Sequence, residues 1–373
     1  MLNLAIGGYS TEDVINQLHA KTGVREIKFR YDLLNKNEVK IGVLSGTPSG
    51  NSIDFNSLAD IKRTGVFTFK EIELNEVDWL NDRVRPVFLL KMPDGNYIEW
   101  SLGIFLLSSP TRKDNNDGIW REVEAYDSSV ILKEDKFDNR YYIPAGTKYI
   151  DAISLIINSA LIYKINITDH SGVISTDKEF EIGSSKLEVL NQLLSEINYT
   201  SLWVDTYGFF TSKPYILPSD REVDYSYKTD ELSIICGGAI NELDLFNVPN
   251  KWVVTASNPE KQPLTSTYVN DSATSITSTL NRGRTIVDYR QIDDTLDQST
   301  LDAYTKRIAY NASQIYEKVQ FETALMPHHT FMDTLFIEYK SLAISSKHIE
   351  TEWSMDLQAG GRMRHSVRRI VNI

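Results

Sequence analysis

The chain has 373 residues, enough for two or three domains of ordinary size. Hydrophobic residues make up 41% and charged residues 24%, which excludes both a disordered and a membrane-embedded polypeptide. With 51 acidic against 39 basic residues the net charge is -12, which excludes a general nucleic-acid binder, because phosphate contact needs Lys and Arg in excess. The 19 Tyr, 14 Phe and 6 Trp favour sheet over helix. Cys236 is alone, so an intrachain disulfide is impossible, as suits folding in a reducing cytoplasm. The N-terminus lacks the basic region of a signal peptide, and no run of about 18 apolar residues occurs.

Residues 10–21 predict a short helix with Val14, Ile15 and Leu18 on one face and Gly23 as a stop. Residues 1–24 are read as a helix or arm outside the core. Residues 25–135 then carry six strands: Glu26 to Leu34, Val39 to Leu44, Val66 to Leu74, Arg85 to Met92, Tyr97 to Leu107 and Ile119 to Tyr126. Turn-rich pieces such as Asn35-Lys36-Asn37, Gly46 to Gly50 and Pro93 to Asn96 separate them, which points to a barrel or sandwich. The last two strands flank a polar hairpin tip, Asp114 to Gly118.

After Asp127 the periodicity becomes helical. Ala152, Ile153, Ile156, Ile157 and Ala160 share one face; Leu187, Leu190, Leu194 and Ile197 form a second stripe behind a Ser185/Glu188 capping box. With strands at Ser201 to Val204 and Phe209 to Thr211, residues 136–235 read as a small α/β unit. Residues 236–373 read as a second β-barrel domain, with Lys251 to Ala256 as its clearest strand. Residues 257–282, rich in Ser, Thr and Asn, are expected to form a long exposed loop or hairpin arm. A long helix over 299–325 is predicted from Leu301, Tyr304, Ile308, Ala312, Ile315 and Val319, with Asp297 or Ser299 as cap and Pro327 forbidding extension. Strands at Thr334 to Ile337, Ile349 to Leu357 and Arg368 to Val371 close the chain.

No catalytic pattern emerges. The six histidines lack metal-ligand spacing, and His328-His329 read as turn chemistry after Pro327. Lys113 would occupy the first ligand position of a calcium loop ending near Gly118, which excludes that site. The Gly7-Gly8, Gly237-Gly238 and Gly360-Gly361 pairs match no phosphate loop, and no nucleophile elbow occurs. Cys236 reads as a buried, inert thiol. No catalytic residue, cofactor or metal site is therefore expected. Arg362, Arg364, Arg368 and Arg369 form the one cluster of a single sign. Either they meet an acidic neighbouring subunit, or they solvate a strand edge and block stray pairing.

Three features together resemble the baseplate or tail-tip hub proteins of long-tailed bacteriophages and phage-tail-like bacteriocins. The first is the hairpin bearing Trp100, Gly103, Phe105, Tyr126 and Asp127. The second is the order of β domain, α/β insert and β domain. The third is the closing run: a helix, Met326-Pro327-His328, Asp333-Thr334-Leu335 and Leu357 to His365. The resemblance spans residues 25–373. It implies a mainly β fold with an α+β insert, two β-barrel domains resembling the tail-tube fold and a smaller α/β domain. It further implies a non-enzymatic homotrimer in the virion tail, made in the host bacterial cytoplasm, whose pseudo-sixfold ring adapts the hexameric tube to a threefold spike and forms part of the DNA-ejection channel. Its partners would be the tail tube or distal tail protein, a spike or host-facing protein and the tape-measure protein, with DNA only in transit. Two alternatives remain: a carbohydrate-binding or adhesin tail protein, since aromatic-rich β domains present Trp and Tyr to sugars, and a peptidoglycan hydrolase of the tail tip with an unrecognised carboxylate pair.

Overall fold

The computed structural model describes residues 1–373 except 22, 48, 72–76, 116–117, 244–245, 260, 315–316 and 371–373. The expectations at Pro48, Leu74, Asn116, Asp117, Ile315 and Val371 therefore lie outside the described residues. The fold is mainly β, as expected. Helix α1 (Thr11–Leu18) starts at a capping box in which the side chains of Ser10 and Asp13 each accept the other's backbone N–H. It is not a loose arm: Val14 and Leu18 are fully buried in the main core.

Nine strands follow: β1 (Ile27–Leu34), β2 (Lys40–Leu44), β3 (Ser52–Asn56), β4 (Arg63–Lys70), β5 (Arg83–Lys91), β6 (Tyr97–Ser101), β7 (Phe105–Leu107), β8 (Thr111–Asn115) and β9 (Gly118–Asp127). Strand β3 was not expected, because five alternating residues between turns give a weak signal. The single strand expected over Tyr97 to Leu107 breaks at Gly103, whose φ of 130° suits only glycine and where a Cβ would stand 2.7 Å from Arg63 Cδ. The order β4-β9-β7-β5-β1-β2 closes on itself. Strand β2 runs on into a bridge between Gly46 and Phe69, with backbone bonds Thr47 N to Thr68 O (3.0 Å) and Lys70 N to Ser45 O (2.9 Å). Closure needs glycine at 46, since a Cβ there would lie 2.5 Å from the Tyr31 ring. Aromatic rings fill the interior edge to face, with Phe67 5.3 Å from Phe105 and Tyr31 5.5 Å from Phe69.

The middle unit contains α2 (Ser129–Glu134), β10 (Tyr141–Ile143), α3 (Tyr149–Ser159), β11 (Ile165–Ile167), β12 (Lys178–Phe180), α4 (Lys186–Glu196), β13 (Trp203–Val204) and β14 (Phe210–Ser212). Both predicted helices form, and the Ser185/Glu188 capping box is present. Their apolar faces, led by Ile153, Ile157, Leu190 and Leu194, make a separate core. Arg63 reaches from β4 to this unit, donating to the Val204 carbonyl at 3.1 Å.

The chain returns to the large sheet at β15 (Tyr225–Lys228) and β16 (Ile235–Leu243). Strands β17 (Lys251–Ala256), β18 (Leu264–Val269) and β19 (Val287–Ile292) form their own three-stranded sheet, ordered β18-β17-β19, rather than a barrel wall. The expected loop over 257–282 thus contains β18 and a short helix, α5 (Thr279–Arg282). Its polar residues work internally: the buried Asn270 side chain donates to Ser275 Oγ (2.9 Å) and Thr277 Oγ1 (3.4 Å). Helix α6 (Gln298–Gln314) is capped by Asp297, which accepts from Thr300 N at 2.7 Å, and packs Leu301, Ile308 and Ala309 on Trp252 and Val254. It does not extend to 325. From Glu317 burial alternates with period two, and β20 (Glu317–Ala324) forms instead. Val319 satisfies both periods, and only its surroundings decide.

Strands β21 (Thr334–Tyr339), β22 (Ile344–Asp356) and β23 (Arg362–Arg369) complete the fold. The thirteen residues of β22 join its halves: Ile344 to Ile349 pair with β21, and Glu352 to Asp356 pair with β3. One apolar core consequently runs through both halves of the sheet.

Candidate assembly surface and buried histidine cluster

An antiparallel run, β16-β20-β23-β22-β3-β4-β9-β8, crosses the molecule and ends at two strands that, among the described residues, each have one partner: β16 pairs β20, and β8 pairs β9. Alternation gives the run two unlike faces. One carries Phe55, Phe67, Val123, Trp353, Met355, Met363, Val367 and Phe321 into the core. The registers place Asp54, Glu122, Glu124, Glu242, Glu322, Glu352 and Asp356 on the other, interleaved with Lys70, Lys113, Lys318, Arg362, Arg364 and Arg368. This face is of mixed charge, despite the acidic chain. It bears a cavity of about 720 Å³, bounded by Lys62, Gly237, Ile240 and Arg364 among others. Lys62 is buried there, donating to the carbonyls of Ser57 (3.2 Å) and Ala59 (2.9 Å), and burial pushes its amine down to about 8.

All four clustered arginines lie on β23, which is paired on both sides, so they do not line a strand edge. Arg362 meets Glu322 at 2.7 Å, Arg369 meets Glu317 at 2.7 Å, and Arg364 spans Asp356 (3.3 Å) and Glu322 (3.4 Å). Arg368 is half-buried. Cys236, on the terminal strand β16, is half-buried rather than enclosed. Strands β8 and β9 pair antiparallel on either side of the expected tip, Asn115 opposite Gly118, while Asn116 and Asp117 lie outside the described residues.

Behind the polar face lies a constellation with no sequence signal. Glu350, fully enclosed, accepts from His329 Nδ1 at 2.5 Å through one oxygen and from His365 Nδ1 at 2.6 Å through the other. His329 Nε2 meets the Tyr227 hydroxyl at 2.6 Å, and His365 Nε2 meets Thr323 Oγ1 at 2.8 Å. Burial alone would raise the Glu350 carboxyl, but the charges and hydrogen bonds of His329 and His365 outweigh it and hold the group at about 2. Burial pushes the His365 imidazole down, with Glu350 opposing. Pro327 and His328 do form a turn, yet both neighbouring histidines are buried. Spacing could not reveal this, because the members come from β15, β20, β22, β23 and a loop.

His329, Glu350 and His365 are the one group of metal-donor side chains this close together among the described residues. An ion bound at about 2.1 Å by each donor would hold tetrahedrally placed donor atoms about 3.4 Å apart. The observed 2.5 and 2.6 Å contacts are those of charge-assisted hydrogen bonds, so the geometry suits protons, not a metal.

No protein-family model matches the sequence, and a sequence search of curated proteins finds no match. Solved structures do match in fold. A tail protein from Neisseria meningitidis superposes with a TM-score of 0.64 at 10% identity, over 92% of this chain and 97% of that one. The 43 kDa tail protein of prophage MuSo2 from Shewanella oneidensis gives 0.60 at 10% identity, over 92% and 98%. The prophage tail protein gp18 from Listeria monocytogenes gives 0.56 at 11% identity, over 90% and 94%. The Escherichia coli c3393 protein, described as a type VI secretion component similar to T4 tail proteins gp27 and gp5, gives 0.50 at 8% identity, over 94% and 78%. The superpositions span nearly the whole chain, and the fold is that of phage tail proteins.

Proposed function

We propose that this chain is a structural hub subunit at the tip of a phage-type tail, three copies closing into a ring. The observation that carries this reading is the eight-stranded run with one polar face, one buried face and a free edge at each end. Pairing β16 of one copy with β8 of the next satisfies both ends of this run. The polar face then lines the passage. Its interleaved charges offer no continuous basic track to phosphates, so DNA passes without being held. Residues 25–135 and the strands of 236–373 act as the two barrel units of each subunit, with the α/β unit of 136–235 decorating the ring. One rim takes the tail tube or distal tail protein, with the tape-measure protein reaching the passage. The other takes a spike, a partner suggested by the PdpA–VgrG assemblies of Francisella that share the fold. The chain has no catalytic task in this reading, and it works in the virion tail.

Arg362, Arg364, Arg368 and Arg369 sit beside the β16 end of the run and can lend charge to the seam between copies. Light scattering on the full chain is expected to give three times the 42.5 kDa subunit mass. A monomer at all micromolar concentrations that also fails to join assembled tails overturns the reading.

A further inference from the structure

The loop Leu325–Asp333, between β20 and β21, is built under tension around two buried histidines. His328 is enclosed with neither ring nitrogen hydrogen-bonded, and its ring centre lies 4.9 Å from those of both Tyr225 and His329. Met332 adopts φ of 53°, a left-handed conformation that side chains disfavour. Asp333 holds the turn closed by accepting from Thr330 N (2.6 Å), Thr330 Oγ1 (2.8 Å) and the Met1 ammonium (2.8 Å). Between these residues Phe331 stacks on Trp203 of β13 at 5.3 Å and 8°. Through this ring the loop touches the middle α/β unit, which is also held to the first barrel by Arg63 on the Val204 carbonyl (3.1 Å) and Ser101 on the Thr206 carbonyl (2.6 Å).

We propose that this loop is an acid-released latch: proton uptake by the buried His328 expels its ring, relaxes Met332 and withdraws Phe331 from Trp203, loosening the middle unit at that contact while the first barrel stays folded. Glu350 is a counter-charge to His329 and His365, whereas the His328 ring nitrogens have no hydrogen-bond partner among the described residues. Glu350 (β22) and Asp333 are the carboxylates that face it, and both are already engaged. Cationic groups close in from other sides: the Met1 ammonium, Arg25 on the Leu325 carbonyl, and Arg221, which donates to the Met332 carbonyl at 3.0 Å. Tyr225 and Tyr227 (β15), His365 (β23) and His19 (α1, 2.6 Å from the Tyr225 hydroxyl) complete the shell.

The sign follows from burial. Enclosure, and then the neighbouring positive charges, push His328 well below the ordinary histidine range, and burial lowers His365. The closed loop is thus favoured above the ordinary range and lost progressively as pH falls below it. Each proton taken up on opening makes opening about tenfold easier per pH unit.

Hydrogen exchange of the full chain, corrected for the intrinsic pH dependence of exchange, tests this. On acidification, amides of 325–333 and 201–205 should lose protection while those of β4 and β9 keep theirs. His328→Phe, a ring that cannot titrate, should move the opening midpoint down by about half a pH unit or more. Should that variant not fold, His328→Gln is read in the same way. Loss of protection in the loop and the first barrel together overturns the latch, as does a midpoint unmoved by either variant.

Discussion

The two halves of the large sheet share one core but fill it by different chemistry. The first barrel is packed with rings: Tyr31, Phe67, Phe69, Phe88, Trp100 and Phe105. No histidine occurs between residues 25 and 135. The second half spends the same interior on Glu350, His329, His365, Tyr227 and Thr323, joined by hydrogen bonds. Ring packing is non-directional and tolerates acid, whereas a buried polar network holds its strands in one arrangement only while every member is paired. The lesson is that a continuous sheet can pair a permanent half with one whose cohesion depends on proton balance.

The comparison breaks most severely if packing in the first barrel is removed. Phe105→Ala should cost about 3–5 kcal/mol in denaturant unfolding, the range for a fully buried ring. In the second half, Glu350→Gln keeps the shape but cannot accept from both imidazoles as a carboxylate does. About 1.5–3 kcal/mol should be lost, concentrated in the exchange of β22 and β23. Gly46→Ala tests closure of the first barrel: the added methyl meets Tyr31, and about 1–3 kcal/mol of overpacking strain is expected by thermal or chemical melting.

Acid sharpens the contrast further. In the second half, burial holds His348 down at about 4, and Glu350 sits at about 2. Both are depressed, so their contributions are present at neutral pH and lost as pH falls, His348 from about 6.5 toward 4 and Glu350 from about 4.5 toward 2. In the first barrel, burial would raise Asp32, but hydrogen bonds from Arg30, Lys40 and Arg85 hold it at about 2. The first barrel should therefore weaken only below the ordinary aspartate range. Each proton taken up costs about 1.4 kcal/mol per pH unit, which pH-dependent exchange can read half by half. The smallest effect on folding is expected from Arg362→Ala, whose ion pair with Glu322 is exposed: melting is unchanged, and only trimer formation responds if the arginines serve the seam.

Much of the fold was legible where a pattern is local. Helices α3 and α4 follow from a repeated apolar face with a capping box, and β1, β5 and β17 from alternation bounded by turns. The error at 299–325 is instructive, because Val319 fits a helical stripe and a strand equally, and β20 is decided by its pairing with β16 and β23. Likewise, Val14 and Leu18 announce an amphipathic helix without saying what covers it. Polar richness over 257–282 signals exposure, yet Asn270, Ser275 and Thr277 are buried and hydrogen-bonded to one another.

By itself, then, the sequence determined the β-rich class, the local helices and the paired strands that flank Asp114 to Gly118. Tertiary structure alone decided that β22 splices two halves into one sheet, that the arginines of β23 lie inside that sheet rather than at its edge, and that five elements bring His329, Glu350, His365, Tyr227 and Thr323 together. The physical reason is range. Propensity and periodicity act over one or two turns of chain, whereas pairing and burial join residues hundreds of positions apart that no spacing can connect.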